Sequence, residues 1–256
     1  MEWMDLRGKR GLVVGIANAQ SIAHGCAEAF RAAGAELAVT YLNAKAEPHV
    51  RPLAEALGAS PILPRDVREP GQLEAVFDTL AREWGRLDFL LHSIAFAPRE
   101  DLHAPLVDCS AEGFAMAMDV SCHSFIRMAR LARPLMTEGG ALLTVSFFGA
   151  ERVVEHYNLM GPVKAALESS VRYLAAGLAD DRIHVHALST GPVKTRAASG
   201  IDRFDELLDA VRERTPANRL VEVDEIGRIA AFLATDAGAA MTGSITHVDA
   251  GFHVMA

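Results

Sequence analysis

The sequence contains few cysteines, and those it has follow no recognisable pattern. The three are Cys26, Cys109 and Cys122, and no two of them form a Cys-x-x-Cys pair. An odd number of widely separated cysteines argues against the disulfide framework of a secreted protein. We therefore expect a cytoplasmic protein whose cysteines are reduced and serve as small buried hydrophobic residues.

The sequence also lacks an excess of basic residues and a long apolar run. It carries 25 Lys and Arg against 33 Asp and Glu, which gives a formal net charge of -8 at pH 7. Nucleic-acid-binding proteins concentrate positive charge, so no nucleic-acid partner is expected. No apolar stretch approaches the roughly 18 residues of a membrane-spanning helix, so no membrane association is expected. A chain of this length can bury a large core, and no metal is expected to be needed for stability.

Short apolar runs alternate with longer segments of helical apolar spacing along the whole chain. The runs, bounded by Gly, Asp or Pro, are 11–16, 37–41, 61–63, 89–94, 141–147, 183–188 and 245–248. The helical segments are 21–33, 47–57, 72–84, 111–136, 158–178 and 224–234. Strands covered on both faces by crossover helices have this composition. The alternation predicts an α/β fold, a single Rossmann-like doubly wound parallel sheet of about seven strands.

Residues 1–256 are predicted to form one domain, because the chain shows no repeat, low-complexity tract or interdomain linker. One stretch, 195–216, interrupts the alternation between a strand and the last helix, with a short helical pattern at 204–212. Long irregular segments inside compact domains are often lids over ligands. A surface loop without a function would explain the length of this stretch equally well.

A turn rich in small residues follows the first strand, between Gly15 and Gly25. Small residues there would let the backbone approach a pyrophosphate, and the next helix would offer free N–H groups and a positive dipole end. Ser21 is placed to be the N-cap of that helix. The spacing is not Gly-x-Gly-x-x-Gly, so an ordinary tight turn is the alternative.

Other predicted strands end in polar or small residues, at 66–67, 93–95 and 189–192. Ligands of open parallel sheets lie beyond the carboxyl ends of the strands. Asp66 could accept a hydrogen bond from an adenine amino group, or it could cap the next helix. The second strand ends at 40–43 without an acidic residue for a ribose 2′-hydroxyl or an arginine for a 2′-phosphate. The residues themselves therefore leave NADH and NADPH both open.

Tyr157 and Lys164 are seven residues apart, or two turns of a helix, so both are expected to project from one helix face. A phenol has a pKa of about 10 and is a poor acid at neutral pH. A nearby ammonium would favour the phenolate and help the phenol to act as a proton donor or to stabilise an oxyanion. A lysine also reaches the hydroxyls of a nicotinamide ribose. We expect these two residues to be the catalytic pair.

The pair resembles the Tyr-x6-Lys pair of the short-chain dehydrogenase/reductase superfamily, on a helix after the fifth strand. Finer motifs resemble its divergent branch, the bacterial NADH-dependent enoyl-acyl-carrier-protein reductases, and the resemblance covers nearly the whole chain. The motifs are Ser-Ile-Ala at 21–23, His-Ser-Ile-Ala-Phe-Ala-Pro at 92–98, Gly-Ala-Glu-Arg at 149–152, Tyr-Asn-Leu-Met-Gly at 157–161 and Ala-Ala-Ser-Gly-Ile at 197–201.

The resemblance implies an enzyme of fatty-acid elongation that reduces a trans-2-enoyl thioester to a saturated acyl thioester. The thioester would be carried by an acyl-carrier protein or by coenzyme A, and the enzyme would be a homotetramer, as the family usually is. NADH is the implied cofactor, because relatives with a neutral second-strand end mostly use it, and NADPH stays open. The implied mechanism places a hydrogen bond from Tyr157 on the oxyanion that develops at the thioester oxygen.

The site residues that the resemblance implies fall into two groups. Those on the cofactor are Gly15, Ser21, Ile22, Asp66, Val67, Ser93, Ile94, Ala95, Lys164, Val193, Thr195 and Ala197. Those on the acyl substrate are Ala97, Phe147, Tyr157 and Met160, with residues 195–212 as the substrate lid.

Three residues depart from the family pattern. Phe147 stands where the family normally carries a second active-site tyrosine, and Leu42 where it often has a polar residue near the adenosine. Pro162 lacks an N–H and would crowd the carbonyl of Asn158 if the helix began before Asn158, at a cost of up to ~3 kcal/mol unless the first turn adapts. Two alternatives therefore stay open: another short-chain dehydrogenase/reductase acting on a carbonyl or an alcohol, and a non-catalytic dinucleotide-binding relative.

Overall fold

The computed structural model describes residues 4–193, 195 and 204–255. The strands are β1 (Arg10–Val14), β2 (Glu36–Tyr41), β3 (Ile62–Pro64), β4 (Phe89–His92), β5 (Gly140–Phe147), β6 (Ile183–Thr190) and β7 (Ile245–Val248). They form one 7-stranded parallel sheet in the order β3-β2-β1-β4-β5-β6-β7. The predicted Rossmann-like doubly wound sheet is confirmed, and its winding direction reverses between β1 and β4.

Helices cover both faces of the sheet. They are α1 (Ile22–Ala32), α2 (Glu47–Ala56), α3 (Gln72–Glu83), α4 (Arg99–His103), α5 (Ala111–Met118), α6 (Ser124–Ala132), α7 (Met160–Gly177), α8 (Phe204–Arg214) and α9 (Val223–Leu233). Because side chains alternate along a strand, Leu90 and Leu142 pack with α3, α6 and α7, whereas Leu91 and Leu143 pack with α1 and α9. Among the described residues, no helix is both long and apolar enough to span a membrane.

The sequence predicts a helical segment over 111–136, and the structure is helical from 111 to 135 with a change of winding inside it. A π-helical turn, Asp119–His123, separates α5 from α6, and a 3-10 turn, Arg133–Leu135, ends the segment. At the π-helical turn two serines meet the end of β4. Ser121 Oγ donates to the carbonyl of Phe96 at 3.1 Å, and Ser124 Oγ lies 2.8 Å from Nε2 of His92. The predicted helical segment is therefore confirmed, and the π-helical turn within it, which the sequence pattern does not show, brings the two serines to β4 and the turn after it.

Helix α7 begins at Met160, two residues later than expected, and this removes the cost expected at Pro162. The proline is the third residue of the helix, where a backbone N–H would have no partner within the helix. The carbonyl of Asn158 instead accepts from the N–H of Gly161 at 3.0 Å. Pro162 is therefore accommodated in the first turn, and it gives no reason to expect a disturbed active site.

Candidate active site

Gly15 directly follows β1, and both its backbone conformation and its close neighbours allow only glycine at this position. Its φ is +122°, and a Cβ built there would lie 2.1 Å from the carbonyl oxygen of Ser93. The N–H of Ser93 in turn donates to the carbonyl of Val14 at 2.9 Å, which fixes the turns after β1 and β4 side by side. The two turns thus meet where the winding reverses, the usual place for a dinucleotide in such a sheet.

Ser21 is the N-cap residue of α1, as predicted, but its side chain does not cap the helix. Its Oγ accepts from the N–H groups of Ala17 and Asn18, both at 3.0 Å, and lies 3.2 Å from Oδ1 of Asn18. The hydroxyl therefore closes the turn between β1 and α1. Ile22 opens the helix, and the positive end of its dipole faces the ends of the strands, an arrangement that can hold a pyrophosphate.

Asp66 and Val67 follow β3 at the edge expected for the adenine. The Asp66 carboxylate accepts three hydrogen bonds from Arg68: from its backbone N–H at 3.0 Å, from Nε at 3.1 Å and from the terminal NH2 at 2.7 Å. These bonds hold the pKa of Asp66 below its ordinary value and keep it ionised. The N-cap of α3 is Gly71, so Asp66 does not cap that helix. Its carboxylate retains acceptor capacity for an adenine amino group.

A buried histidine, whose role our reading of the sequence missed, organises the end of β4. His92 is fully buried, with Nδ1 2.8 Å from Oγ1 of Thr144 and Nε2 2.8 Å from Oγ of Ser124. Burial lowers its pKa well below the ordinary value, so the imidazole is neutral. This bridge between β5 and α6 supports the turn in which Ile94 is half-buried and Ala95 is exposed, the positions expected beside the ribose and the nicotinamide.

Tyr157 and Lys164 are both buried, but they do not lie on one helix. Tyr157 precedes the first residue of α7 by three positions and is flanked by two residues of positive φ, His156 at 62° and Asn158 at 37°. Lys164 lies inside α7, and its Nζ donates to the carbonyl of Val145 at 2.6 Å. The expectation of two helical turns between them is therefore wrong. A tight turn before the helix positions the phenol, and the helix positions only the ammonium.

Burial controls the ionisation of this pair. It raises the pKa of Tyr157, with a smaller contribution from Glu168 in the same direction, so the phenol keeps its proton. Burial also lowers the pKa of Lys164 to about 8. The expected shift of Tyr157 towards the phenolate is not found. This arrangement presents a neutral hydrogen-bond donor, which is suited to an oxyanion that appears only during reaction.

A buried carboxyl lies one turn beyond Lys164 and was also missed by our reading of the sequence. Glu168 is 5 % exposed, and its Oε1 accepts from the hydroxyl of Ser146 at 2.5 Å. Burial raises the pKa of Glu168, although the Ser146 hydrogen bond opposes that shift. The contact ties the end of β5 to the helix that carries Lys164. The sequence alone does not indicate that a charged residue on an amphipathic helix points into the protein core.

The residues expected on the acyl substrate lie on the same side of the sheet as Tyr157, and Phe147 contacts it directly. The ring of Phe147 packs against that of Tyr157 with centroids 4.8 Å apart and planes tilted by 60°. Met160 is buried in the same apolar cluster as Tyr157, and Ala97 packs against that cluster. Phe147 fills the position of the second tyrosine with an apolar ring. The surroundings of the Tyr157 ring are therefore less polar than the family pattern implies.

The expected lid is described only in part. Ala197 lies outside the described residues, as do 196 and 198–203, whereas Val193 packs against the core on the α1 side of the sheet and Thr195 is half-buried. Helix α8 buries Leu208 and Val211. A cavity of about 550 Å³ lies between α8, the 148–156 segment and the C-terminal segment, and its lining includes Phe148, His156, Leu207, Val211 and Phe252.

Comparisons with known proteins agree with this arrangement. A family model described as enoyl-(acyl carrier protein) reductase matches residues 15–253. The enoyl-[acyl-carrier-protein] reductase [NADH] FabI of Nostoc sp. is 44% identical over 255 residues, which cover 98% of this chain and 99% of that protein.

Solved structures of such reductases also superpose closely on the chain. The reductase (NADH) of Aquifex aeolicus has a TM-score of 0.95 at 43% identity, with 98% of both chains covered. The reductase of Anaplasma phagocytophilum, solved in complex with NAD, has a TM-score of 0.94 at 45% identity and covers 98% of this chain and 95% of that one. The matched residues include both the turns at the carboxyl ends of the strands and the turn that carries Tyr157. The chain therefore belongs to the enoyl-(acyl carrier protein) reductase family.

Proposed function

We propose that the chain catalyses the NADH-dependent reduction of a trans-2-enoyl thioester to a saturated acyl thioester in fatty-acid elongation. The observation that carries the proposal is Tyr157, a buried phenol held in its protonated form beside the helix that carries Lys164. An acyl-carrier-protein thioester is the proposed substrate, and a coenzyme A thioester is the simpler analogue. The names of the relatives support this assignment.

The residues at the carboxyl edge of the sheet fit a dinucleotide. The turn at Gly15 has no room for a Cβ because it packs against the backbone of Ser93, and this contact holds it beside the start of α1, where Ser21 and Ile22 would bind a pyrophosphate. The remaining proposed cofactor-binding residues are Asp66, Val67, Ser93, Ile94, Ala95, Lys164, Val193, Thr195 and Ala197. The ammonium of Lys164 would hold the hydroxyls of the nicotinamide ribose.

The burial of Tyr157 and Lys164 determines what these two residues contribute to the reaction. NADH, when bound, would supply the hydride for C3 of the enoyl thioester, and a proton taken up at C2 completes the saturated acyl chain. Tyr157 directs its O–H towards the thioester oxygen and stabilises the negative charge that develops there. Because burial raises its pKa, the phenol donates a hydrogen bond without losing its proton beforehand. Phe147, Ala97 and Met160 surround the acyl chain and keep water away from it.

A second candidate is the reduction of a ketone or the oxidation of an alcohol, and Phe147 favours it. The Phe147 ring takes the place of a hydroxyl group beside Tyr157, which changes the polarity around the substrate carbonyl. The third hypothesis, a non-catalytic dinucleotide-binding relative, rests on Pro162, and the first turn of α7 accommodates that residue.

A substrate panel separates the two activities. We expect the purified protein to oxidise NADH with crotonyl and longer 2-enoyl thioesters, and to do so much faster than with any ketone in the panel. Absorbance at the NADH band follows each reaction, and a saturated thioester serves as the control for background oxidation. Turnover of a ketone or an alcohol with none of the enoyl thioesters would overturn the proposed reaction in favour of the second candidate.

The remaining proposals concern the assembly. We propose that residues 1–256 form one domain, with residues 195–212 as the lid over the acyl chain. The contact of α8 with the cavity beside His156 supports the placement of the lid. We also propose a cytoplasmic location and a homotetramer, and the exposed neighbouring side chains of Leu106 and Val107 support an interface between subunits.

A further inference from the structure

The turn that carries Tyr157 has an unfavourable backbone conformation. The residues on either side of Tyr157, His156 and Asn158, have positive φ angles of 62° and 37°. Such angles are unfavourable for residues with a side chain and persist only where the surrounding structure holds them. The backbone hydrogen bonds of Tyr157 are local, because its N–H donates to the carbonyl of Val154 at 3.2 Å and its carbonyl accepts from the N–H of Met160 at 2.9 Å. These bonds shape the turn but do not fix it relative to the acyl side of the site.

The side chain of Asn158 joins this turn to a distant helix. Its Nδ2 donates to the carbonyl of Leu102, 56 positions away in the sequence, at 3.0 Å. Leu102 is the second-last residue of α4, where a carbonyl has no partner within the helix. Pro105, three positions later, has no N–H to donate, and among the described residues no backbone N–H donates to this carbonyl. The amide of Asn158 therefore caps the end of α4 from the Tyr157 turn.

The segment that contains α4 is itself held at both ends, so it can serve as a fixed anchor. The carboxylate of Asp101, within α4, accepts from the backbone N–H of Ser110, the N-cap residue of α5, at 2.6 Å. Before α4, Phe96 forms two hydrogen bonds with Oγ of Ser121: its N–H donates at 2.9 Å and its carbonyl accepts at 3.1 Å. Ala97, which is expected on the acyl substrate, lies between these two attachments. Asn158 thus ties the phenol to the same segment that carries Ala97.

We propose that Asn158 is a positioning residue for the reduction, because its amide ties the Tyr157 turn to α4 and so sets the place of the phenol relative to the acyl substrate. The inference rests on the proposed function. Asparagine combines the two properties that this position needs: its side chain supplies an amide N–H, and it tolerates a positive φ better than most residues. A hydroxyl stabilises an oxyanion only at hydrogen-bond distance, so a displacement of about 1 Å costs much of the rate.

A double-mutant cycle between Asn158 and Tyr157 tests the proposal. Asn158→Gly keeps the positive φ and removes the amide, whereas Asn158→Asp keeps the shape and removes the donor. We expect either substitution to lower kcat for crotonyl coenzyme A at least about tenfold, while KM for NADH and the calorimetric affinity for NADH change less than about twofold. When Tyr157 is already replaced by phenylalanine, Asn158→Gly should lower kcat further by less than about twofold, because no hydroxyl is left to position.

Asn218 provides the matched control. It is exposed in the turn before α9 and has a φ of 51°, so Asn218→Gly makes the same change away from the site and should keep full kcat.

Four results would overturn the proposal. The first is a kcat of Asn158→Gly, or of Asn158→Asp if the glycine variant does not fold, within about twofold of the unsubstituted chain. The second is an equally large loss of kcat in the Tyr157→Phe chain, which would show a general effect on the fold. The third is a parallel loss of NADH affinity, and the fourth is unfolding of both Asn158 variants beside a folded Asn218→Gly. Absence of turnover of any enoyl thioester by the unsubstituted chain would instead contradict the proposed function, and this inference with it.

Discussion

Replacing Tyr157 with phenylalanine is expected to lower kcat for an enoyl thioester about 10²–10³-fold, the usual effect of removing one oxyanion-stabilising donor. The substitution keeps the ring that packs against Phe147 and removes only the hydroxyl. We therefore expect the affinity for NADH and the thermal midpoint to change little. Steady-state NADH oxidation and calorimetric titration of NADH measure the two effects separately.

A matched control is available on the neighbouring helix. Tyr173 lies on α7 and is 79% exposed, so Tyr173→Phe makes the same chemical change away from the site. It should retain full kcat. If Tyr157→Phe kept more than about a tenth of the activity, the hydroxyl would not be the oxyanion donor, and the mechanism proposed for this site would have to be abandoned.

Replacing Gly15 with alanine is expected to weaken NADH binding by at least about tenfold, or about 1.4 kcal/mol. The new Cβ would lie 2.1 Å from a backbone oxygen of Ser93, and neither turn can move without disturbing the end of β1 or of β4. The left-handed φ of +122° adds strain for a residue with a side chain. Calorimetric titration of NADH measures the loss of affinity, and thermal unfolding reports the accompanying loss of stability.

Gly8 provides the control for backbone strain alone. Its φ is +73°, but a Cβ there meets no atom within 4 Å. Gly8→Ala should therefore lower the free energy of unfolding by about 1 kcal/mol, from the strained conformation, and should bind NADH as the unsubstituted chain does. Equal NADH affinity in the two alanine variants would mean that the close approach of the Gly15 turn has no part in holding the cofactor.

The sheet could be predicted from the sequence because its strands are buried on both faces. Continuous apolar runs such as Phe89–His92 are typical of strands covered on both faces, and their alternation with helices predicts a doubly wound parallel sheet. The order of the strands comes from the structure. The sequence also predicts the turn at Gly15, because small residues lie there between a strand and a helix. The position of Ser21 at the helix start was predictable, although the target of its hydroxyl was not.

Other features depend on contacts between distant residues. The π-helical turn after α5 is next to Ser124, whose contact with His92 joins residues that are 32 positions apart and meet only in the folded sheet. The position of Tyr157 depends on a turn with two residues of positive φ, and periodicity alone cannot tell such a turn from the start of a helix. Arg65 and Glu168 are charged residues whose burial is set by tertiary packing.

The central claim is that a phenol and an ammonium meet beside the reactive carbon of a bound dinucleotide. A crystal structure of the chain soaked with NAD⁺ tests it most directly. The account predicts density for the dinucleotide along the carboxyl edge of the sheet, with Lys164 about 3 Å from a ribose hydroxyl and the Tyr157 hydroxyl facing the nicotinamide. Side chains of Tyr157 and Lys164 that point away from the nicotinamide, or the absence of dinucleotide density there, would contradict it.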